Sequence, residues 1–229
     1  MKTASILIPT TKAQLRRHPK IKTLLCYVAG MGRKRVHDDK LRLRLLDRAG
    51  ELLAEGGADA LGLRSLAKAA DTSTSAVYSL FGGKDELLHA LYEEGFRRLA
   101  ERLRAVPADD DIVEHLVRLS HAYRASALEG PHYYRAMFDR RRTAEEDDAV
   151  RRAGHDAFEP LLETVRQCVE QGRLVDADPT LVASALWAHV HGLVSLELSN
   201  LLPDVGDDMF ERAIRAGLSG WQTTTTADR

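Results

Sequence analysis

The chain has 229 residues, 44% hydrophobic and 29% charged, with a net charge of −1. That is the make-up of a soluble globular protein long enough to bury a real core, and its wealth of Ala, Leu, Arg and Glu favours helix. Two cysteines, Cys26 and Cys168, stand far apart in no metal-like spacing, which argues against a disulfide framework and fits a reducing cytoplasm.

The near-zero net charge conceals an asymmetry. Lys and Arg outnumber Asp and Glu by 20 to 12 in residues 1–105, and fall behind them by 13 to 22 in residues 106–229. A basic N-terminal half points to a polyanionic partner there, and the acidic second half argues against DNA wrapping that part. Random scatter of surface charge is the plain alternative. No apolar run reaches the ~18–20 residues needed to span a bilayer, and Leu24–Ala29 is too short for a signal-peptide core.

Residues 1–30 hold Pro9, Pro19 and scattered basic residues without a sustained helical period. They read as an N-terminal extension without order, and Met31 reads either as the natural initiator or as an internal residue after that arm. Arg33, Lys34 and Arg35 then form a basic arm ahead of a first helix that Asp38 or Asp39 is placed to cap. Leu41, Leu45, Ala49 and Leu52 share one face of that helix, and Gly56-Gly57 ends it. A second helix is expected over Leu63–Ala70, a turn at Asp71–Ser73 and a third helix over Thr74–Leu80. Gly82-Gly83 precedes a long fourth helix, Lys84–Ala105, with Leu88, Leu91, Phe96, Leu99 and Leu103 inward.

After Pro107, Ile112, Leu116, Leu119 and Tyr123 mark a fifth helix that ends near Gly130-Pro131. A short aromatic segment, His132–Phe138, follows, and then a charged loop, Asp139–Asp148, that includes Arg140–Arg142. Phe158, Leu161, Val165 and Cys168 define a seventh helix stopped near Gly172. Asp178-Pro179 is an N-cap followed by proline at the first helical position, opening an eighth helix to about Asn200. A ninth spans Asp208–Gly220. The expected organisation is an extension (1–30), a smaller helical domain (31–83), a larger helical domain (84–221) and a disordered tail (222–229).

The informative stretch is Leu63–Lys84. Two short helices joined by a three-residue turn must cross closely, so the first needs a small residue at the crossing, which Ala67 supplies. Four positions on, the turn needs a residue that tolerates a left-handed backbone. Glycine is best there and Asp71 is acceptable. Six further on, Val77 pins the second helix into the core, with Leu66 and Leu80 completing a small cluster. This is the layout of a helix-turn-helix, whose second helix is free to enter a major groove. Thr74 and Ser75 lie at that helix's N-terminus, the end that meets base edges, with Tyr78 and Ser79 a turn beyond. Arg64 opens the preceding helix. Lys84, beside the free amides that start the fourth helix, makes a phosphate clamp, and Arg33–Arg35 reach towards a neighbouring phosphate or minor groove. The plain alternative is a structural helix pair with polar residues facing water.

The continuation Tyr78-x-x-Phe81-x-x-Lys84-x-x-Leu87-Leu88 decides between them. Over residues 38–88 the sequence resembles the tetracycline-repressor (TetR) family of regulators. The resemblance implies an all-α fold of about nine helices: a three-helix DNA-binding domain, then a larger helical bundle for ligand binding and dimerisation. It implies that Thr74, Ser75, Tyr78 and Lys84 face operator DNA. Asp71-Thr72 departs from the usual Gly-Val of the turn, Gly62 stands where a Thr cap is common, and Gly83 where Ser or Asn often caps. More loosely, Tyr133-Tyr134-x-x-Met137-Phe138 and the Trp187-x-x-x-His191-Gly192 signature resemble one branch of that family, without identifying a ligand.

Tyr123, Tyr133, Tyr134, Met137, Phe138, Trp187 and His191 are therefore candidate ligand contacts, although core packing is the plainer reading for each, with Gly192 admitting a neighbouring helix. The eighth and ninth helices should form the dimer seam through Leu193, Leu196, Ile214 and Leu218; burial within one subunit is the alternative. His189 and His191 diverge, and the His155/Glu159 pair reads as solvated, so neither metal nor cofactor is expected. The function implied is a repressor released from a palindromic operator by a small molecule. The rivals are an activator or architectural protein of the same fold, and a helical enzyme, for which the sequence offers no recognisable catalytic constellation.

Overall fold

A computed structural model of the chain describes residues 19–138, 148–202 and 205–223, with side chains described from residue 38 onward except at 58 and 59. Nine helices lie among the described residues: α1 (Pro19–Ala60), α2 (Leu63–Ala69), α3 (Thr74–Phe81), α4 (Lys84–Arg104), α5 (Ile112–Glu129), α6 (Pro131–Phe138), α7 (Asp148–Glu170), α8 (Pro179–Leu198) and α9 (Asp207–Ser219). The only strand-like pairing among them is an isolated bridge between Leu174 and Gln222.

Local chemistry sets most boundaries. Gly57 (φ 70°) breaks the last turn of α1, and Gly82 (φ 88°) stops α3. Asp111 and Asp178 cap α5 and α8 by accepting bonds from the amides of Val113 (3.0 Å) and Thr180 (2.9 Å). The start of α1 differs from expectation. The helix already runs through Asp38 and Asp39, which therefore cap nothing, and residues 19–30 are helical rather than part of a structureless arm. No proline lies between Pro19 and Pro107, and Pro19 sits at the helix start, where its missing N–H costs little. Of the expected charged loop, Asp139–Asp148, residues 139–147 lie outside the described residues and Asp148 opens α7. Of the expected disordered tail, 222–229, residues 224–229 lie outside them. Gln222 bridges to Leu174 and the hydroxyl of Thr223 donates to the carbonyl of Gly172 at 2.7 Å, so the tail starts two residues later than expected.

Two hydrophobic cores divide the molecule. The first gathers Leu45, Leu46 and Ala49 of α1, Leu66 and Ala67 of α2, Val77 and Phe81 of α3, and Leu87 and Leu91 of α4. The second is built by α4 to α9 around Leu99, Leu103, Leu116, Tyr123, Val165, Val190 and Phe210. Helix α4 is one continuous rod with its first half in one core and its second half in the other.

Inside the larger unit, polar groups are matched. Pro160 sits within α7 and has no amide to give the carbonyl of Asp156; Arg104 of α4 donates to that oxygen instead, at 2.9 Å. Arg124, 8% exposed, forks onto Glu197 of α8 (2.8 and 2.6 Å), donates to Asp207 of α9 (2.6 Å) and the carbonyl of Val205, and lies over the Phe210 ring. It ties three helices at one point. Cys168 is a buried free thiol whose surroundings push its pKa up to about 11, so it is an inert packing residue.

By length and composition alone α8 is apolar enough to cross a bilayer, and little of it is buried in the single chain. Thr180, Ser184, His189, His191 and Ser195 interrupt any continuous apolar run, but Glu197 is its only charged residue.

Candidate nucleic-acid interface and ligand cavity

The α2–α3 pair has the geometry that its spacing predicts. Ala67 is 3% exposed at the crossing, Asp71 adopts φ 50° in the turn, and Val77 is 1% exposed behind α3. The short Asx side chain makes this left-handed position tolerable without glycine. Ser73 caps α3, its hydroxyl accepting from the amide of Ala76 at 3.1 Å and lying 3.0 Å from the Ser75 hydroxyl. Ser73, expected as the last residue of the turn, is thus the N-cap of α3, in keeping with a Ser directly before a helical period.

With Val77 and Phe81 facing inward, the opposite face of α3 meets solvent. Tyr78 is 53% exposed, Ser75 and Ser79 are exposed, and Thr74 is half-buried at the leading end. Arg64 is exposed on α2, and Lys84 opens α4 beside them. Asp85 and Glu86 share the first turn of α4 and reduce its positive potential. Arg33, Lys34 and Arg35 fall within α1 rather than ahead of it, and their side chains lie outside the described residues. The arrangement presents hydroxyls and a phenol on one projecting rod, with basic groups on the flanking helices, the chemistry that reads base edges and phosphates.

The seven candidate ligand residues divide. Tyr134, Phe138, Trp187 and His191 stack into one aromatic cluster, with Phe138 4.5 Å from His191 and 6.1 Å from Trp187 between ring centres. Tyr123 joins it edge-on to Tyr134. The hydroxyls of Tyr123 and Tyr134 both meet Nδ1 of His191, at 3.0 and 2.9 Å. Tyr133 turns the other way: its hydroxyl donates to Asp47 of α1 at 2.7 Å, beneath the Arg98 guanidinium. Met137 packs over Gly95 of α4.

Two cavities flank this cluster. The inner one, about 50 Å³, is walled by apolar residues including Phe96, Leu103, Leu116, Phe158, Leu161 and Trp187. The outer one, about 260 Å³, lies between α4, α5 and α6 and is walled by Tyr123, Tyr133, Tyr134 and Met137 with Arg98, Arg102 and Glu129. The helical period marks Phe96 and Phe158 only as inward positions and gives Arg98 and Arg102 no role, since an inward apolar residue or a helix-surface Arg looks the same whether it lines a cavity or fills a core.

Residues 45–91 match the family model for bacterial regulatory proteins of the tetR family, and residues 116–217 match the model described as tetracyclin repressor-like, C-terminal domain. Together they take in more than half of the chain. The chain belongs to the TetR family. A protein of unknown function from Rhodococcus sp. RHA1 is 27% identical, with a TM-score of 0.71 over 80% of this chain and 96% of its own. A TetR family transcription regulator from Marinobacter aquaeolei VT8 is 22% identical, with a TM-score of 0.71 over 82% and 98%. The fatty acid degradation regulator FadR from Bacillus halodurans shares the fold at 16% identity, TM-score 0.66, over 81% and 96%. Comparison with curated protein sequences gives no match.

The departures from the TetR pattern have local answers in this TetR-family regulator. Gly62 offers no side chain to cap α2, and its carbonyl accepts from the amide of Leu66 at 2.9 Å and the hydroxyl of Ser65 at 2.7 Å. Gly83 stands in extended backbone without a side-chain cap. A Cβ there would meet the folded-back Glu86 carboxylate at 2.7 Å, so the small residue makes room for an acid at the helix start.

Proposed function

We propose that this TetR-family DNA-binding regulator is a cytoplasmic homodimeric repressor, holding a palindromic operator and releasing it when a small molecule enters the α4–α9 domain. The observation that carries the reading is the exposed leading edge of α3. Tyr78, Ser75 and Ser79 project outward while Val77 holds the rod from behind. In this reading Thr74, Ser75, Tyr78 and Ser79 meet the groove, and Arg33, Lys34, Arg35, Arg64 and Lys84 meet phosphates.

Dimerisation through α8 and α9 is supported by unpartnered apolar surface. Leu181, Leu196 and Met209 are 58%, 41% and 40% exposed, and a Cβ on Gly192 would meet nothing within 4 Å, leaving room for a second copy's helix. The seam uses fewer residues than expected from sequence. Ile214 and Leu218 are each 3% exposed and point inward with Phe210, one turn apart, into their own subunit.

Ligand response is supported by α6. Consecutive tyrosines face opposite ways: Tyr134 bonds His191 in the ligand domain and Tyr133 bonds Asp47 in the DNA-binding unit. A ligand that displaces the aromatic cluster moves α6 and α4 and alters the separation of the two α3 rods, which must match half-sites ~34–36 Å apart.

The test is footprinting on DNA flanking the protein's own gene. A protected palindrome is expected. Tyr78→Ala should abolish protection, and Lys84→Gln should lower the salt dependence of binding by about one phosphate contact per subunit. Protection that survives Tyr78→Ala unchanged would overturn the reading, and target expression that falls on gene deletion would favour the activator.

A further inference from the structure

We infer that the small molecule is an amphipathic acid, an apolar chain or ring system ending in a carboxylate. This deepens the ligand-responsive reading and rests on it. The inner and outer cavities share two walls, Leu99 and Tyr123. Separately, each is smaller than the ~300 Å³ at which ligand pockets begin; joined, they reach that size. Tyr123 is therefore the partition that decides whether there is a site.

Tyr123 is 5% exposed, and its hydroxyl meets Nδ1 of His191 at 3.0 Å and also hydrogen-bonds Trp187 and Tyr134. That nitrogen has one lone pair or one proton to share, and the Tyr134 hydroxyl sits 2.9 Å from the same atom. When Tyr123 swings out, His191 keeps Tyr134, so no buried imidazole nitrogen is stranded.

The joined space has opposite ends. At the inner end the polar groups are already spent: the Ser120 hydroxyl donates to the carbonyl of Leu116 at 3.0 Å, and His189 lies 3.0 Å from the carbonyl of Ala213. That end suits hydrocarbon. At the outer end, Arg98 and Arg102 stand four residues apart on one face of α4. Arg98 is committed to Glu94 (2.7 Å) and Asp47 (3.0 Å). Arg102 is paired with Glu129 at 2.7 Å, and Glu129 is 67% exposed. An arriving carboxylate competes with Glu129 for Arg102 and, anchored by its buried chain, takes the same fork of N–H donors. A neutral head gains less, and an ammonium head, though drawn to Glu129, meets both guanidiniums.

The test titrates the full-length protein, without DNA, with decanoate, decanol and decylamine, following tryptophan fluorescence (Trp187 lines the inner cavity) and calorimetry. Decanoate should bind saturably and at least about tenfold more tightly than decanol or decylamine. Arg102→Gln should erase the preference for decanoate over decanol, and Glu129→Gln should tighten decanoate. Arg102 lies at the surface, and an unchanged thermal melt of Arg102→Gln verifies its fold. Ala157→Leu, which fills the inner end, should weaken decanoate while sparing hexanoate. Absence of saturable binding, equal affinity for the alcohol or amine, or an unaltered preference in Arg102→Gln would overturn the proposal. A separate operator titration keeps the two readings apart. Decanoate that binds without releasing operator supports the ligand class and removes the repressor mechanism; operator release by some other compound, with decanoate inert, does the reverse.

Discussion

Asp71 shows how one residue sets both the geometry and the electrostatics of the interface. Its φ of 50° lies where a Cβ is ordinarily unwelcome, and its carboxylate stands in the turn ahead of the rod proposed to meet DNA. Replacing it separates the two effects. Asp71→Gly should tighten operator binding by removing the charge, while stability stays within about 1 kcal/mol of the parent. Asp71→Ala removes the same charge but keeps a Cβ in the left-handed region, so it should be about 1 kcal/mol less stable than Asp71→Gly. Urea unfolding and salt-matched operator titrations measure both. Equal stability of the two variants would mean that the turn relaxes away from this conformation.

At the scale of elements, α6 is short but touches both cores. Tyr133→Phe removes the bond to Asp47 without changing the ring's packing. It should cost about 1 kcal/mol and speed amide exchange in α1 around residues 45–50, leaving exchange in α8 as before. The neighbouring His132 lies against Gly50 of α1, where a Cβ would come within 2.5 Å of its ring, and its Nε2 is buried without a hydrogen-bond partner. Burial, helped by the charge of Arg98 and opposed by Asp47 and Glu51, holds its pKa below the ordinary 6.5. The unfolded chain therefore takes up a proton first as pH falls. The stability from a neutral His132 is whole above about pH 6.5 and is lost progressively below it, towards the folded-state value. His132→Leu should flatten the fall in melting temperature between about pH 6.5 and pH 5. A parallel pH profile in the variant would show that the ring is not buried neutral.

For the whole molecule, the governing fact is an apolar helix left half bare. Leu181 and Leu196 make no claim on their own subunit's core, so charging them should not unfold the chain. Leu181→Glu combined with Leu196→Glu should convert the dimer to monomers in sedimentation velocity, with the far-ultraviolet circular dichroism retained. Operator binding should fall steeply with it, since two half-sites are then no longer engaged by one particle. A double variant that stays dimeric would place the seam elsewhere.

Helices, their stops and the α2–α3 motif were legible in the chain, because caps, breakers and period act between residues a few positions apart. Ala67, Asp71, Val77 and Asp178 do their work with neighbours that the sequence itself supplies. The start of α1 departs from expectation in a basic stretch that lacks an apolar period but holds no proline after Pro19. What stands between distant helices was not legible: the inward turn of Ile214 and Leu218, the opposed directions of Tyr133 and Tyr134, and the pairing of Arg102 with Glu129 across 27 positions. A helix period shows that a residue has a buried side but not what lies against it; the packing of α4 against α5, α6 and α7 decides whether that side meets a neighbour, a cavity or a second subunit.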